Sequence, residues 1–461
     1  MANPARLLPL GLLCCPRCRG PLEDARALTC ASCATEYPRI DGLPWLFADP
    51  ARALGEWRAR IHGFLAGLDM QAQRYRAALG DDVTRPATRT RLKLLAASCT
   101  DHARRVRALL APVMDGAVAA APEVYAALGT SLPGGQGLAS YYANLHRDWC
   151  WGDTENATAY RIVDTALGPQ PPGRTLLLGA GAGRLAYDLM CSRRPEPLVA
   201  ADVNPLFLCA VQQLFAGERL ELYEFPLAPR GIDSHAILRT LQAPQPVPDG
   251  CHLVFADASR APFAAGAFDT VITPWLIDVL DEDFATFAMR VNGWLKPGGR
   301  WINTGSLAFG SDDPARRYAL EEVVAIAAAA GFGGIEPREE TVPYLCSPAS
   351  RHGRLETVVT FAGTKLESVT DPGPPRRVPE WLQSTDVPVP LLPDLQGRQL
   401  ELRVLSYVAS LVDGQRSIRD VARVLVERRL MTAEEAEPAV REFLTRMYDE
   451  ARTRASTGPA L

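Results

Sequence analysis

The sequence predicts an α/β protein centred on a doubly wound parallel sheet. Three observations carry the prediction. Short apolar runs end in turns or acids: Leu176–Leu178, the run closing at Asp202, Leu253–Ala256, Phe268–Thr273 and Arg300–Asn303. Stretches of helical character separate these runs. The first run empties into a glycine-rich turn, Gly179-Ala180-Gly181-Ala182-Gly183-Arg184. Strands that alternate with helices pair in parallel, because each helix carries the chain back to the same edge of the sheet.

The glycine turn comes first. Glycines let backbone approach a ligand without a Cβ in the way, and an acid at the end of the next strand takes two ribose hydroxyls. Asp202 is that acid. The spacing is G-x-G-x-G without the further glycine of a dinucleotide turn, which favours S-adenosylmethionine (SAM) over NAD. The third run delivers Asp257, an acceptor for an adenine amino group. Phe268–Thr273 reads as the fourth strand. Leu295-Lys296-Pro297-Gly298-Gly299 reads as a helix end and tight turn, and a fifth strand follows. Ligands of such Rossmann-like sheets sit at the carboxyl ends of the strands, where Gly179, Asp202, Asp257 and Asp278 all fall. Any one of these acids alone would serve equally as a helix cap, and it is the ordered set that points to SAM.

The 461 residues are enough for roughly two to four domains, and 47% hydrophobic with 22% charged residues is ordinary for a soluble globular chain. A net charge of -4 argues against nucleic acid as the main partner. No run approaches the roughly 20 apolar residues of a membrane helix. The apolar stretch over 7–13 meets cysteines too soon for a secretory signal, so a cytoplasmic location is expected. Four of the eleven cysteines form two C-x-x-C pairs, Cys15 with Cys18 and Cys30 with Cys33, and the scatter of the rest suits a reducing compartment. Two such knuckles across a short hairpin predict a zinc ribbon in residues 1–50. Four thiolates leave no open position, so the zinc is structural. Cys14 lies beside the knuckle and is not read as a ligand. Residues 51–135 have helical periodicity, with Leu92, Leu95 and Cys99 on one face, as are Val106, Leu109 and Leu110, and with a solvated arginine-rich face. The SAM-binding region spans 136–365. A Pro-rich linker over 366–398 leads to a helix–turn–helix in 399–461, where Ser417 is the expected N-cap of a small winged-helix-like domain.

Two segments, and the SAM region itself, resemble known families. The knuckles and the run from Tyr37 to Leu46 resemble the zinc-ribbon proteins that partner and activate tRNA and protein methyltransferases. Arg147-Asp148-Trp149, the run from Leu178 to Tyr187, Ile277-Asp278, the run from Leu295 to Gly305, Tyr344 and Ser350 resemble the carnosine N-methyltransferase family. That resemblance implies a SAM-dependent enzyme methylating an imidazole nitrogen of a histidine-containing dipeptide. Gly179, Gly181, Gly183, Asp202 and Asp257 would hold SAM, Arg147 would close over it, and Asp278 and Tyr344 would face the substrate. The chain also departs from the family. Asp202 replaces a Glu, Pro274 and Trp275 replace a Cys and an aromatic, Gly310 stands where a His is expected, and a run of tyrosines gives way around Arg354, Leu355 and Glu356. The cofactor half therefore transfers, while the substrate half has been rebuilt. The run from Leu411 to Ala422 resembles the PqqD-like domains that bind precursor peptides, which implies a peptide or protein partner there; a docking or dimerisation appendage is the alternative.

An imidazole nitrogen attacks a sulfonium methyl only with its lone pair free. A carboxylate accepting the other ring N–H fixes that tautomer and stabilises the charge that develops. Asp278 stands where that carboxylate belongs; its alternative is to cap the helix that begins near 281–284. His352 lies in the expected substrate loop, and Trp149, Trp151 and Trp275 form either an aromatic wall or core. The expected function is therefore N-methylation of an imidazole or similar nitrogen in a small molecule or peptide. The competing class is a non-catalytic scaffold that binds partners through its ribbon and C-terminal segment.

Overall fold

The computed structural model describes residues 8–25, 27–80, 85–115, 137–310, 313–370, 388 and 393–456. They divide into two compact units, one running to Gly373 and one from Pro374 to Ala460.

In the first unit, β1 (Leu22–Asp24), β2 (Leu28–Cys30) and β3 (Glu36–Tyr37) form a small antiparallel sheet carrying the cysteine knuckles. β4 (Arg39–Ile40) turns through Asp41 and Gly42, both at positive φ, into β5 (Leu43–Leu46). α1 (Pro50–Ala78) starts where Asp49 accepts a hydrogen bond from the Arg52 amide and Pro50 supplies a preset φ. α2 (Pro86–Leu109) buries Cys99, His102, Ala103, Val106 and Leu109.

The main sheet takes β6 (Thr175–Leu178), β7 (Leu198–Asp202), β10 (Cys251–Ala256), β11 (Phe268–Pro274) and β12 (Leu295–Gly305) in the order β10-β7-β6-β11-β12, all parallel. Between β7 and β10 the chain inserts a hairpin of β8 (Leu220–Glu224) and β9 (Ile237–Leu241), which packs on α2. The sheet is mixed rather than wholly parallel. β15 (Arg354–Lys365) runs antiparallel to β12 and pairs with β13 (Phe332–Gly333) and β14 (Arg338–Tyr344). Pairing of β12 with β11 begins at Leu295, breaks, and resumes at Arg300, so the expected Lys296–Gly299 turn is an interruption within a strand.

Alternation along the strands sends side chains to two cores. Leu177, Ala200, Phe255, Ile272 and Ile302 enter one, with the α1 and α2 side chains. Leu176, Leu178, Val199, Val254 and Trp301 enter the other, with the ribbon's Leu12, Leu13 and Leu22. The ribbon is therefore part of this unit. Its β5 extends the main sheet in parallel with β10, Trp45 opposite Phe255 and Leu46 opposite Ala256.

In the second unit the described residues form helices Pro393–Ser410, Ile418–Glu427 and Ala433–Ser456. Val408, Leu411, Val421, Leu425, Ala436 and Val440 make its core. Ser417 caps the middle helix in a reciprocal pair with Asp420, as its sequence position suggests. The helix–turn–helix is present, and no strand of a wing occurs among the described residues of this unit. Most of the expected Pro-rich linker lies outside the described residues.

Candidate active site

The sheet order reverses between β6 and β11, and the loops that leave those two strands face each other across the switch point. A Cβ on Gly179 would lie 3.3 Å from Leu276 and 3.6 Å from the Pro274 carbonyl. Gly181 and Gly183 have φ of 53° and 85°. Gly183 opens the helix Arg184–Ser192, and a Cβ there would press to 2.7 Å from Val211. A Cβ on Gly181 would meet nothing within 4 Å, so this glycine borders open space. A backbone cradle of this kind can receive a ligand that a side chain would displace.

Asp202 ends β7, and its carboxylate accepts from the Gly181 amide at 2.7 Å and the Asn204 amide at 2.8 Å. Burial pushes its carboxyl above the usual range, and these amides pull it back. Asp257 follows β10 and accepts from the Ser259 amide and hydroxyl at 2.8 and 2.7 Å, a local cap at the same sheet edge. A segment before β6 covers the glycine turn. Arg147–Trp151 is a π-helical turn, a geometry frequent at functional sites. Trp149 donates to the Ala182 carbonyl at 2.7 Å, and Arg184 reaches back to the Asp148 carbonyl at 2.7 Å. Trp149 is thus a clamp on the turn, and the Trp151 indole Nε1 is buried. Asn204 ties the same segment down through the Leu138 carbonyl at 3.0 Å.

On the other side of the switch point lie Asp278 and Tyr344. Asp278 does not cap the following helix; Asp283 does, accepting from the Ala285 amide. Burial raises the Asp278 carboxyl, and the Ser306 hydroxyl donates to it, which opposes the rise. Tyr344 is buried and packs on Trp275 with centroids 4.9 Å apart. Two guanidiniums lie over its ring, Arg147 at 5.4 Å and Arg354 at 4.6 Å. Arg147 is paired with Asp148 at 2.7 Å. Glu155 holds the end of β14 by accepting from the Leu345 and Cys346 amides at 2.9 and 2.8 Å.

Sequence reasoning missed Tyr141. It is half-exposed and lies within electrostatic reach of Tyr344, Asp278 and Arg354. Its φ of 63°, with Trp275 at 48° and Leu345 at 54°, puts three strained non-glycine residues around one place, as functional sites often do. No sequence pattern announces such strain. His352 is exposed, and His146 is buried with Nε2 on the Tyr223 carbonyl at 3.1 Å, so neither is drawn into this group.

The four knuckle thiols, Cys15, Cys18, Cys30 and Cys33, lie within 4.8 Å of one another, a closed donor set that fits structural zinc. Cys14 is outside it and donates instead to the Phe263 carbonyl at 3.2 Å. The ribbon grips the loop after Asp257: Arg19 donates to the Ala261 and Phe263 carbonyls at 2.8 Å each, and the Cys14 amide to Pro262 at 2.8 Å.

Comparison with known proteins agrees for the ribbon. A UPF0434 protein of Janthinobacterium sp. (strain Marseille) is 47% identical over 53 residues, 11% of this chain and 85% of the relative. Another, from Methylobacillus flagellatus, is 42% identical over 48 residues, 10% of this chain and 80% of the relative. Through its N-terminal segment the chain belongs to the UPF0434 family. The UPF0434 segment is the zinc-ribbon part, and no family model matches the chain. Among solved structures, Haemonchus contortus phosphoethanolamine N-methyltransferase 2 with S-adenosylhomocysteine is 17% identical, TM-score 0.30, over 47% of this chain and 53% of that one. This chain thus spans about half its length. A complex of the Haloferax volcanii Trm112 methyltransferase activator with a methyltransferase is 14% identical, TM-score 0.35, over 50% and 97%. The N-methyltransferase NodS of Bradyrhizobium japonicum is 15% identical, TM-score 0.31, over 47% and 98%. No helix among the described residues is long and apolar enough to cross a membrane.

Proposed function

We propose that the chain is a SAM-dependent N-methyltransferase acting on an imidazole or similar nitrogen of a histidine-containing small molecule or peptide. The supporting observation is the switch point itself. A glycine cradle pinned by Asp202 faces Leu276 of the loop that also carries Trp275 and Asp278, and Tyr344 packs on Trp275. In this reading Gly179, Gly181, Gly183, Asp202 and Asp257 hold SAM and Arg147 closes over it. When bound, SAM supplies an electrophilic methyl group on a sulfonium. Asp278 accepts the N–H of the acceptor ring, leaving the other nitrogen's lone pair free for in-line attack, and balances the positive charge that develops. Tyr344 and Trp275 hold the acceptor in near-attack geometry. The C-terminal unit would take a peptide or protein partner.

The competing reading is a scaffold that keeps the fold without catalysis, and the open space at Gly181 favours the enzyme. Calorimetric titration with SAM decides between them. A methyl-transfer screen against histidine, carnosine and histidine-containing peptides then tests the acceptor. Failure to bind SAM overturns the enzyme; SAM binding with no transfer to any imidazole overturns the acceptor class.

A further inference from the structure

Arg354 stands opposite Tyr344 across the β14–β15 pair, with its guanidinium over the Tyr344 ring. Glu356, two residues on and on the same face of β15, pairs with its Nε at 2.5 Å. Among the described residues the terminal NH groups of Arg354 make no hydrogen bond, and its side chain is 54% exposed against 17% for Arg147. The fork is therefore oriented from behind by a ring and a carboxylate, and open in front. A planar fork held in one geometry matches a carboxylate or phosphate bidentately and loses little entropy in doing so. Asp278 feels the charge of Glu356, and Tyr141 feels the charges of both Arg354 and Asp278, so Glu356 and Tyr141 link the fork to the group that would orient the nucleophile.

We propose that Arg354 anchors the methyl acceptor by an anionic group, a carboxylate or phosphate, so that the substrate class is a nitrogen nucleophile carrying an acid. The proposal rests on the methyltransferase reading. Arg354 stands among the residues that replace a tyrosine run, which makes the anchor a property of this chain's own rebuilt half. Arg147 serves the cofactor side and Arg354 the acceptor side, and the Tyr344 ring lies against both.

The test titrates the full-length chain, saturated with S-adenosylhomocysteine, with sodium acetate and separately with inorganic phosphate at constant ionic strength. The expected result is saturable binding of one anion, weakened about tenfold in Arg354→Gln and partly restored in Arg354→Lys, with S-adenosylhomocysteine affinity equal in all three proteins. A preference for acetate assigns a carboxylate, and a preference for phosphate a phosphoryl group. Equal anion binding in Arg354→Gln, or no saturable binding to the unsubstituted protein, overturns the anchor. If S-adenosylhomocysteine does not bind, the methyltransferase reading falls by itself, and the same anion titrations without it still decide the anchor.

Discussion

Tyr344 and Arg354 face each other across two antiparallel strands, and the guanidinium carbon of Arg354 lies 4.6 Å from the Tyr344 ring centroid. With Arg147 also over that ring, one aromatic side chain orients a cation from the segment before β6 and another from the far edge of the sheet. Tyr344→Leu removes both ring contacts, together about 1–2 kcal/mol of positioning. An acceptor KM raised about tenfold is expected, while Tyr344→Phe, which keeps the ring, should stay within about threefold. A Phe variant as impaired as Leu would assign the role to the hydroxyl.

Asp278→Asn keeps size and removes charge. With Asp283 serving as the helix cap, the fold should be unaffected. The expected outcome is a kcat lower by about 10²- to 10³-fold with SAM affinity unchanged. Near-normal turnover would remove Asp278 from the chemistry. Because burial raises its carboxyl, the acid limb of the kcat/KM profile should fall at a higher pH than an ordinary Asp would give.

Gly181 and Gly183 make a matched pair. Gly183→Ala combines positive φ with a 2.7 Å approach to Val211 and should destabilise the protein by about 2–4 kcal/mol. Gly181→Ala meets no neighbour and should cost only about 1 kcal/mol, yet lower SAM affinity at least about tenfold by filling the cradle. Thermal unfolding and SAM titration of the two variants separate these effects, and unchanged SAM affinity in Gly181→Ala would argue against the cradle.

The ribbon should set SAM affinity from a distance. Arg19 holds both the Ala261 and Phe263 carbonyls just beyond Asp257. Arg19→Ala should weaken SAM binding about three- to tenfold with zinc content unchanged. Removing zinc with a chelator should weaken it at least as much, since the knuckle that presents Arg19 then loses its cross-link. Metal analysis beside calorimetry checks both.

Acid should unfold the first unit early. His102 and His146 are fully buried, and burial depresses them to about 4 and about 3. In the unfolded chain each takes a proton near pH 6.5, so below that pH the unfolded state binds more protons and folding loses free energy. Their neutral forms support full stability above about pH 6.5, and at pH 5 each should cost about 2 kcal/mol. Urea unfolding at pH 7.5 and 5 measures the loss, which His102→Leu should roughly halve.

Local pattern made much of this molecule legible. Apolar runs ending in Gly179, Asp202 and Asp257 announced β6, β7 and β10, because strand burial and turn chemistry are written in neighbouring residues. The C-x-x-C pairs announced the thiol cluster, since two knuckles across a short hairpin are encoded by spacing alone. Other features depended on residues far apart in sequence. Nothing near Trp45 says that it will extend the main sheet beside Phe255, and nothing near Arg19 names Ala261. The Asp278 side of the switch point was least legible, because Tyr141, Trp275, Tyr344 and Arg354 come from four separate segments, and the backbone strain at Tyr141, Trp275 and Leu345 has no sequence signature. What the sequence determined by itself was the order of elements, the glycine-rich turn and the thiol knuckles, all short-range properties. Only the tertiary structure decided which side chains share a wall, because that follows from strand order and register, which the whole core fixes at once.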